Sequence, residues 1–167
     1  HQNDLPFPFK RYQIQPVWRA DRPQKGRYQE FYQCDVDVVG SDSLMFDAEL
    51  AQIYDEVFAA LKLPVTIKIN NRKILAGMAE AAGIAEQFSE MTVAIDKLDK
   101  IGIEGVKGEM GKRGIPAGAF AKIERMLETR TLDELRPFFS ESETGQKGIA
   151  ELETFHHYFD TYSPTNE

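Results

Sequence analysis

Cysteine is almost missing from this chain, and Cys34 is its single thiol. One thiol cannot form an internal disulfide, so the fold must rest on packing and hydrogen bonding, and nothing demands an oxidising compartment. Cys34 falls on an apolar strand face, which predicts a packed core thiol rather than a nucleophile, because no base lies near it in sequence. Histidine is scarce too: there are three, with His156 and His157 adjacent. They lack metal-ligand spacing to cysteines or carboxylates, so no zinc or other metal site is expected. No apolar run approaches the roughly 18–20 residues of a membrane span, and no signal-peptide pattern is present. A cytoplasmic protein without a membrane partner is therefore expected. Finally, no strand signal follows Asn70.

The remainder describes a globular chain. Its 167 residues, 42% hydrophobic and 28% charged, suffice for one domain or two small ones. A net charge of −7 argues against a general nucleic-acid binder. That charge is unevenly spread. Between Phe7 and Gln29 stand six cations (Lys10, Arg11, Arg19, Arg22, Lys25 and Arg27) against one acid, Asp21. A local basic stretch of this kind suits phosphate groups within an acidic protein.

Residues 13–19 and 30–39 alternate as two strands flanking that basic stretch. Side chains on a strand change face at every residue. Tyr32, Cys34, Val36 and Val38 then share an apolar face with Ile14, Pro16 and Trp18, which an antiparallel hairpin would send to the core. Arg19 lies with Phe31, Gln33, Asp35 and Asp37 on the other face. A guanidinium, a flat ring, an amide and carboxylates displayed together suit a polar, anionic ligand. The loop between adds Arg22, Lys25 and Arg27, with Gly26 free to turn the backbone.

Further along, Gly40-Ser41-Asp42-Ser43 breaks the pattern and offers helix caps. An amphipathic helix is expected over 44–62, where Leu50, Ile53, Tyr54, Val57, Phe58 and Leu61 recur at helical spacing. Residues 65–70 alternate as a third strand, giving an α+β fold. Beyond them the pattern is helical: 72–82 with Gly83 as C-cap, 86–100, a short helix over 103–110 inside a glycine-rich connection, 116–128, and 131–139 behind a capping box at Thr131. A polar break at 140–145 precedes the last helix, 146–162, with Ile149, Leu152, Phe155, His156 and Phe159 on one side. The tail 163–167 reads as disordered and 1–10 as an extended lead-in. Lys97, Lys100, Lys107, Lys112, Arg113 and Lys122 are interspersed with acids, as on a solvated face.

The run Val17-Trp18-Arg19-Ala20-Asp21-Arg22-Pro23-Gln24-Lys25-Gly26-Arg27-Tyr28, followed by Glu30-Phe31-Tyr32-Gln33-Cys34-Asp35-Val36-Asp37, resembles motif 2 of histidyl-tRNA synthetase, a class II aminoacyl-tRNA synthetase. Ile67-Lys68-Ile69-Asn70-Asn71-Arg72-Lys73-Ile74-Leu75 and Ile95-Asp96-Lys97-Leu98-Asp99-Lys100 extend the resemblance over most of the chain. It implies part of a class II antiparallel sheet, built from the motif 2 hairpin with one further strand and one helix, and then an all-α insertion domain. The implied division is 1–70 for the partial catalytic core and 71–162 for the helical insertion domain.

The resemblance also implies roles. Arg19 matches the catalytic arginine that contacts the α-phosphate of ATP and the carboxylate of the amino acid. Asp21, Arg27 and Phe31 match positions near adenine, at the distal phosphates, and stacked on the adenine ring. Gln33 and Asp37 match residues that hold histidine. The implied partners are histidine, ATP with its Mg2+, tRNA(His) contacted by the insertion domain, and a second subunit in a homodimer. Other family segments (an upstream acidic-Leu-Thr segment, motif 1, an Arg-Gly-Leu-Asp-Tyr-Tyr loop, motif 3 and the anticodon-binding domain) are not in these residues. The chain is therefore read as an internal segment of a longer enzyme, inactive by itself. The other reading is a non-catalytic histidine-binding relative, the synthetase-like regulatory subunit of ATP phosphoribosyltransferase. Such proteins usually lose the ATP-handling cations, and Arg19, Arg22, Lys25 and Arg27 are all retained.

Overall fold

The computed structural model describes residues 4–166. His1–Asn3 of the expected lead-in and Glu167 of the expected tail lie outside the described residues. Strands β1 (Phe9–Trp18) and β2 (Glu30–Val39) form an antiparallel hairpin in which Arg11 faces Asp37, Ile14 faces Cys34 and Val17 faces Phe31. β2 has the expected bounds. β1 starts four residues before the local alternation suggests, because strand length is set by the partner's hydrogen-bonding row rather than by side-chain pattern alone. The ladder continues one step past β1, where the Arg19 N–H donates to the Gln29 carbonyl at 2.9 Å. At the tip, Arg27 N–H donates to the Gln24 carbonyl at 2.9 Å, and Gly26 turns the chain at φ 80°, a conformation that costs glycine little.

Helix α1 (Leu44–Ala60) begins at Ser43, whose hydroxyl accepts from Met45 N–H. Lys10 ties the hairpin to it, reaching Glu49 at 2.6 Å with its ammonium over the Phe46 ring. The buried stripe of α1 is not the large apolar set read from the sequence: it is Ala48, Ala51 and Asp55. Ala48 and Ala51 pack against Phe155 of the final helix. Ile53 and Val57 instead look across a cleft of about 540 Å³ towards Tyr12, Ile14, Cys34 and Val36 of the hairpin.

Two expectations for the sheet are corrected here. The apolar hairpin face does not enter the core: Tyr12, Ile14, Trp18 and Tyr32 are 80%, 65%, 70% and 74% exposed. Cys34 is exposed with them and is not a packed thiol. The element on that side is α1, and it stands off across the cleft instead of closing on the ribbon. Residues 65–70 form no strand, since among the described residues β1 and β2 pair only with each other. Alternation signals an extended chain, but a strand exists only through a partner's hydrogen bonds. This segment lines a second cleft, about 660 Å³, between α1 and the last helix.

The rest is helical: α2 (Arg72–Ala82), α3 (Phe88–Ile95), α4 (Leu98–Lys112), α5 (Ala117–Leu127), the single turn α6 (Leu132–Leu135) and α7 (Glu143–Asp160). Asn71 caps α2, and Gly83 ends it at φ 77°, as expected. The helix expected over 86–100 is divided after Ile95, and α4 then runs on through the glycine-rich stretch with one kink at Gly102 (φ 65°). Thr131 caps α6 through Glu134 N–H. Ser142 caps α7, so that helix begins inside the expected polar break; its buried hydroxyl accepts from Gly145 N–H and donates to Glu80.

Met78, Met91, Met110, Phe120, Ile123, Phe139 and Ile149 are at most 3% exposed and belong to one core cluster. Helices α2 and α7 meet through glycine: a Cβ on Gly77 would lie 2.5 Å from the Gly145 Cα. Lys73 and Asn71 also bond Glu151 of α7, and chiefly the Lys73 ammonium holds that carboxyl below its usual range. His156, expected on the packed side of α7, is exposed.

The expected disordered tail is tied down where it is described. Asp55 accepts from Thr165 N–H at 2.9 Å and from Asn166 N–H at 2.6 Å, while the Asn166 side-chain oxygen accepts from Val65 N–H. The Thr165 bond, helped by Asn166 and opposed by burial, keeps the Asp55 carboxyl below the ordinary aspartate range.

Candidate functional site

The hairpin register determines which side chains share its polar face. Arg11, Gln13, Gln15 and Val17 of β1 lie opposite Asp37, Asp35, Gln33 and Phe31 of β2. At ~3.4 Å per residue the row from Phe31 to Asp37 runs about 20 Å. Arg19 closes one end: its guanidinium lies 5.1 Å from the centre of the Phe31 ring and donates to Gln33 Oε1 at 2.9 Å. Gln33 in turn donates from Nε2 to Asp35. The amide is thereby fixed in orientation by a cation at its oxygen and a carboxylate at its nitrogen.

At the other end, Arg11 Nε donates to Asp37 Oδ2 at 2.7 Å, and its NH1 donates to Gln13 Oε1 at 2.7 Å. Phe31, Gln33 and Asp37 are half-buried, whereas Arg19, Asp21 and Arg27 are exposed. The loop folds back so that Arg19, Asp21, Gly26, Arg27, Tyr28 and Phe31 line one depression of about 520 Å³. Two cations and an aromatic ring around a concavity suit a ligand with a flat ring and anionic groups, and the amide–carboxylate row beyond suits a small polar molecule carrying a cation.

Of the residues singled out from sequence, Arg19, Phe31, Gln33 and Asp37 share the face that alternation gives them. Asp21 and Arg27 sit outside the strand pattern and meet Arg19 and Phe31 only through the turn of the loop. Arg11 and Gln13 were not candidates. The signal for them was present, because the alternation that groups Gln13 with Arg19 places Arg11 in the same row once β1 is extended backwards. Among the described residues no group of three or more His, Cys, Asp or Glu is disposed to hold a metal ion, and no helix is long and apolar enough to cross a membrane.

Comparison with known proteins gives a consistent picture. A family model described as histidyl-tRNA synthetase matches residues 2–167. A histidine–tRNA ligase of Bacteroides fragilis (strain YCH46) is 54% identical over 172 residues, covering 100% of this chain and 38% of that protein. The histidine–tRNA ligase of Christiangramia forsetii is 57% identical over 159 residues, covering 92% of this chain and 35% of the relative. That of Cytophaga hutchinsonii is 50% identical over a similar span. The chain thus spans well under half the length of these curated relatives.

Proposed function

Because the chain belongs to the histidyl-tRNA synthetase family, we propose that its hairpin is the ATP- and histidine-facing part of an enzyme that condenses histidine with ATP to histidyl-adenylate and passes the histidine to tRNA(His). Arg19 contacts the α-phosphate and the histidine carboxylate, and stabilises the charge that builds on phosphorus as the carboxylate attacks. Phe31 stacks on adenine, Asp21 lies beside the base, and Arg27 meets the distal phosphates. Gln33 and Asp37 hold the histidine, partly through its ammonium group. Asp21 is the carboxylate that lines the depression beside Arg19 and Arg27, and Mg2+ would be bound together with the phosphates of ATP.

One observation carries this reading. The Arg19 guanidinium lies over Phe31 and bonds Gln33, so one side chain touches both the ring assigned to adenine and the amide assigned to histidine. The retained cations Arg22, Lys25 and Arg27 support an ATP-using enzyme over a histidine-binding regulatory relative. Residues 71–162 form the insertion domain that contacts tRNA, residues 1–70 part of the catalytic core, and the whole enzyme acts as a cytoplasmic homodimer. The segment alone does not turn over.

The test is histidine-dependent ATP–pyrophosphate exchange by the full-length synthetase that carries this chain. Arg19→Ala is expected to lower kcat by at least about 100-fold, as does removal of one group stabilising transition-state charge. Exchange at the unmodified rate would overturn the role of Arg19.

A further inference from the structure

The polar face of the hairpin carries a hydrogen-bonded chain that starts at a guanidinium and ends at a carboxylate. Arg19 donates to Gln33 Oε1 at 2.9 Å, and Gln33 Nε2 donates to Asp35 Oδ1. Asp35 stands one same-face step beyond Gln33 on β2, about 7 Å along the strand. We infer that Asp35 is a positioning residue for histidine binding. It holds the Gln33 amide with its oxygen, not its nitrogen, towards the Arg19 end of the row, where the carboxylate and ammonium of the substrate lie. This rests on the reading of Gln33 as a histidine contact given above.

An amide needs such a hold. Its two ends are nearly equal in shape and opposite in polarity, and the last torsion of a glutamine has no single sharp preference. Turned over, Gln33 would aim N–H donors at an ammonium, which has only donors itself. Arg19 favours the correct orientation in the free protein, but its guanidinium is exposed and is assigned to the α-phosphate and the histidine carboxylate. Once those anions draw Arg19 towards them, Gln33 Oε1 is released to accept from the ammonium. The bond to Asp35 then keeps the amide from turning.

The same bond does little for the fold. Asp35 and Gln33 lie on one strand, whereas the pairing of β1 with β2 is set by the backbone ladder between them. Both side chains are half-buried, on a face open to water. The negative charge of Asp35 also attracts an ammonium, but across such a face a charge several ångströms away acts weakly. Orienting the amide is therefore the larger effect. Asparagine separates the two: it is neutral, has the same length and keeps an oxygen that can accept from Gln33. Alanine removes charge and acceptor together.

The experiment uses the full-length synthetase that carries this chain, comparing Asp35→Ala, Asp35→Asn, Gln33→Ala and the double variant with alanine at both positions. Histidine-dependent ATP–pyrophosphate exchange and the midpoint of thermal unfolding are recorded for each. Asp35→Ala is expected to raise the KM for histidine about tenfold, with kcat, the KM for ATP and the unfolding midpoint near their original values. Asp35→Asn is expected to recover most of that loss, and the double variant to be no worse than Gln33→Ala alone. If Gln33→Ala raises the histidine KM while Asp35→Ala leaves it unchanged, the positioning role falls and the reading of Gln33 stands. If Gln33→Ala leaves the histidine KM unchanged, the reading of Gln33 fails and Asp35 loses its role with it. Asp35→Asn as impaired as Asp35→Ala, or losses that add in the double variant, would make the charge of Asp35 the agent and overturn the inference. A rise in both KM values, or a fall in the unfolding midpoint, would make Asp35 a structural residue and overturn it equally.

Discussion

The hairpin and the helical part of this molecule solve the burial problem in opposite ways. From α2 to α7 a set of large apolar side chains is wholly removed from water, with Met91, Met110, Ile123, Phe139 and Ile149 all at 0% exposure, although Val93 and Ile101 stay exposed. In the hairpin Tyr12, Trp18 and Tyr32 are each at least 70% exposed, and the ordered interactions lie on the polar face instead. Order in the helical part comes from exclusion of water, which is cheap to satisfy locally because consecutive helices pack on one another. Order on the hairpin's working face comes from directed hydrogen bonds between charged and amide groups, which fix angles as well as distances. A site that must aim a guanidinium and an amide needs the second kind of order.

Three substitutions test that contrast, beginning with the largest effect. Phe139→Ala empties a fully buried position where the ring touches both α2 and α7 glycines, and should cost about 3–5 kcal/mol. Tyr32→Ala removes a ring that is 74% exposed, and should stay within about 0.5 kcal/mol. Urea melts followed by circular dichroism compare the two directly, and similar losses would abolish the distinction between the regions. Gly77→Ala comes next: its new Cβ would meet the Gly145 backbone at 2.5 Å. The helices must separate, at about 1–3 kcal/mol, and an unchanged melt would show the α2–α7 contact to be looser than described.

A pH-dependent effect concerns Asp55, a buried acid of α1. Its folded pKa is lowered, chiefly by the Thr165 N–H, so the carboxylate's contribution is present above the unfolded value of about 4 and is lost as pH falls through the lower folded value. Thermal midpoints measured from pH 7 down to pH 3 should decline in acid, and Asp55→Asn should start lower and decline less. Parallel curves would remove Asp55 as a contributor to acid sensitivity.

How much of this was legible in the sequence depends on how far apart the deciding residues lie. β2 shows a clean period of two, and its bounds followed from that alone. Ser43 and Thr131 act on N–H groups two or three residues away, and short-range signals of that kind are readable. The pairing of 65–70 was not readable, because alternation gives extension but not a neighbour. Nor was the exposure of Ile14 or Cys34, which depends on where α1 stands. The large residues of α1 masked its true contact stripe of Ala48, Ala51 and Asp55. In the candidate site, alternation brought Arg19, Phe31, Gln33 and Asp37 to one face. It could not bring Asp21 and Arg27 to the same depression, since a loop has no period. Arg11 lies within reach of the same pattern, since carrying β1 back two residues from Gln13 puts it in that row.

The bond from Val65 N–H to Asn166 joins residues 101 positions apart, and Asp55 of α1 grips the same asparagine. In topological language the helices between them form a closed loop pinched at its neck. The two ends of that loop leave and return at one point on α1, so its contents make no demand on the length of the path between hairpin and neck. Loop-closure entropy grows only slowly with the number of residues enclosed. A lineage can therefore lengthen or shorten the stretch between α2 and α6 without re-aiming the hairpin, provided that the asparagine and aspartate at the neck and the packing of Phe155 on Ala48 and Ala51 are kept.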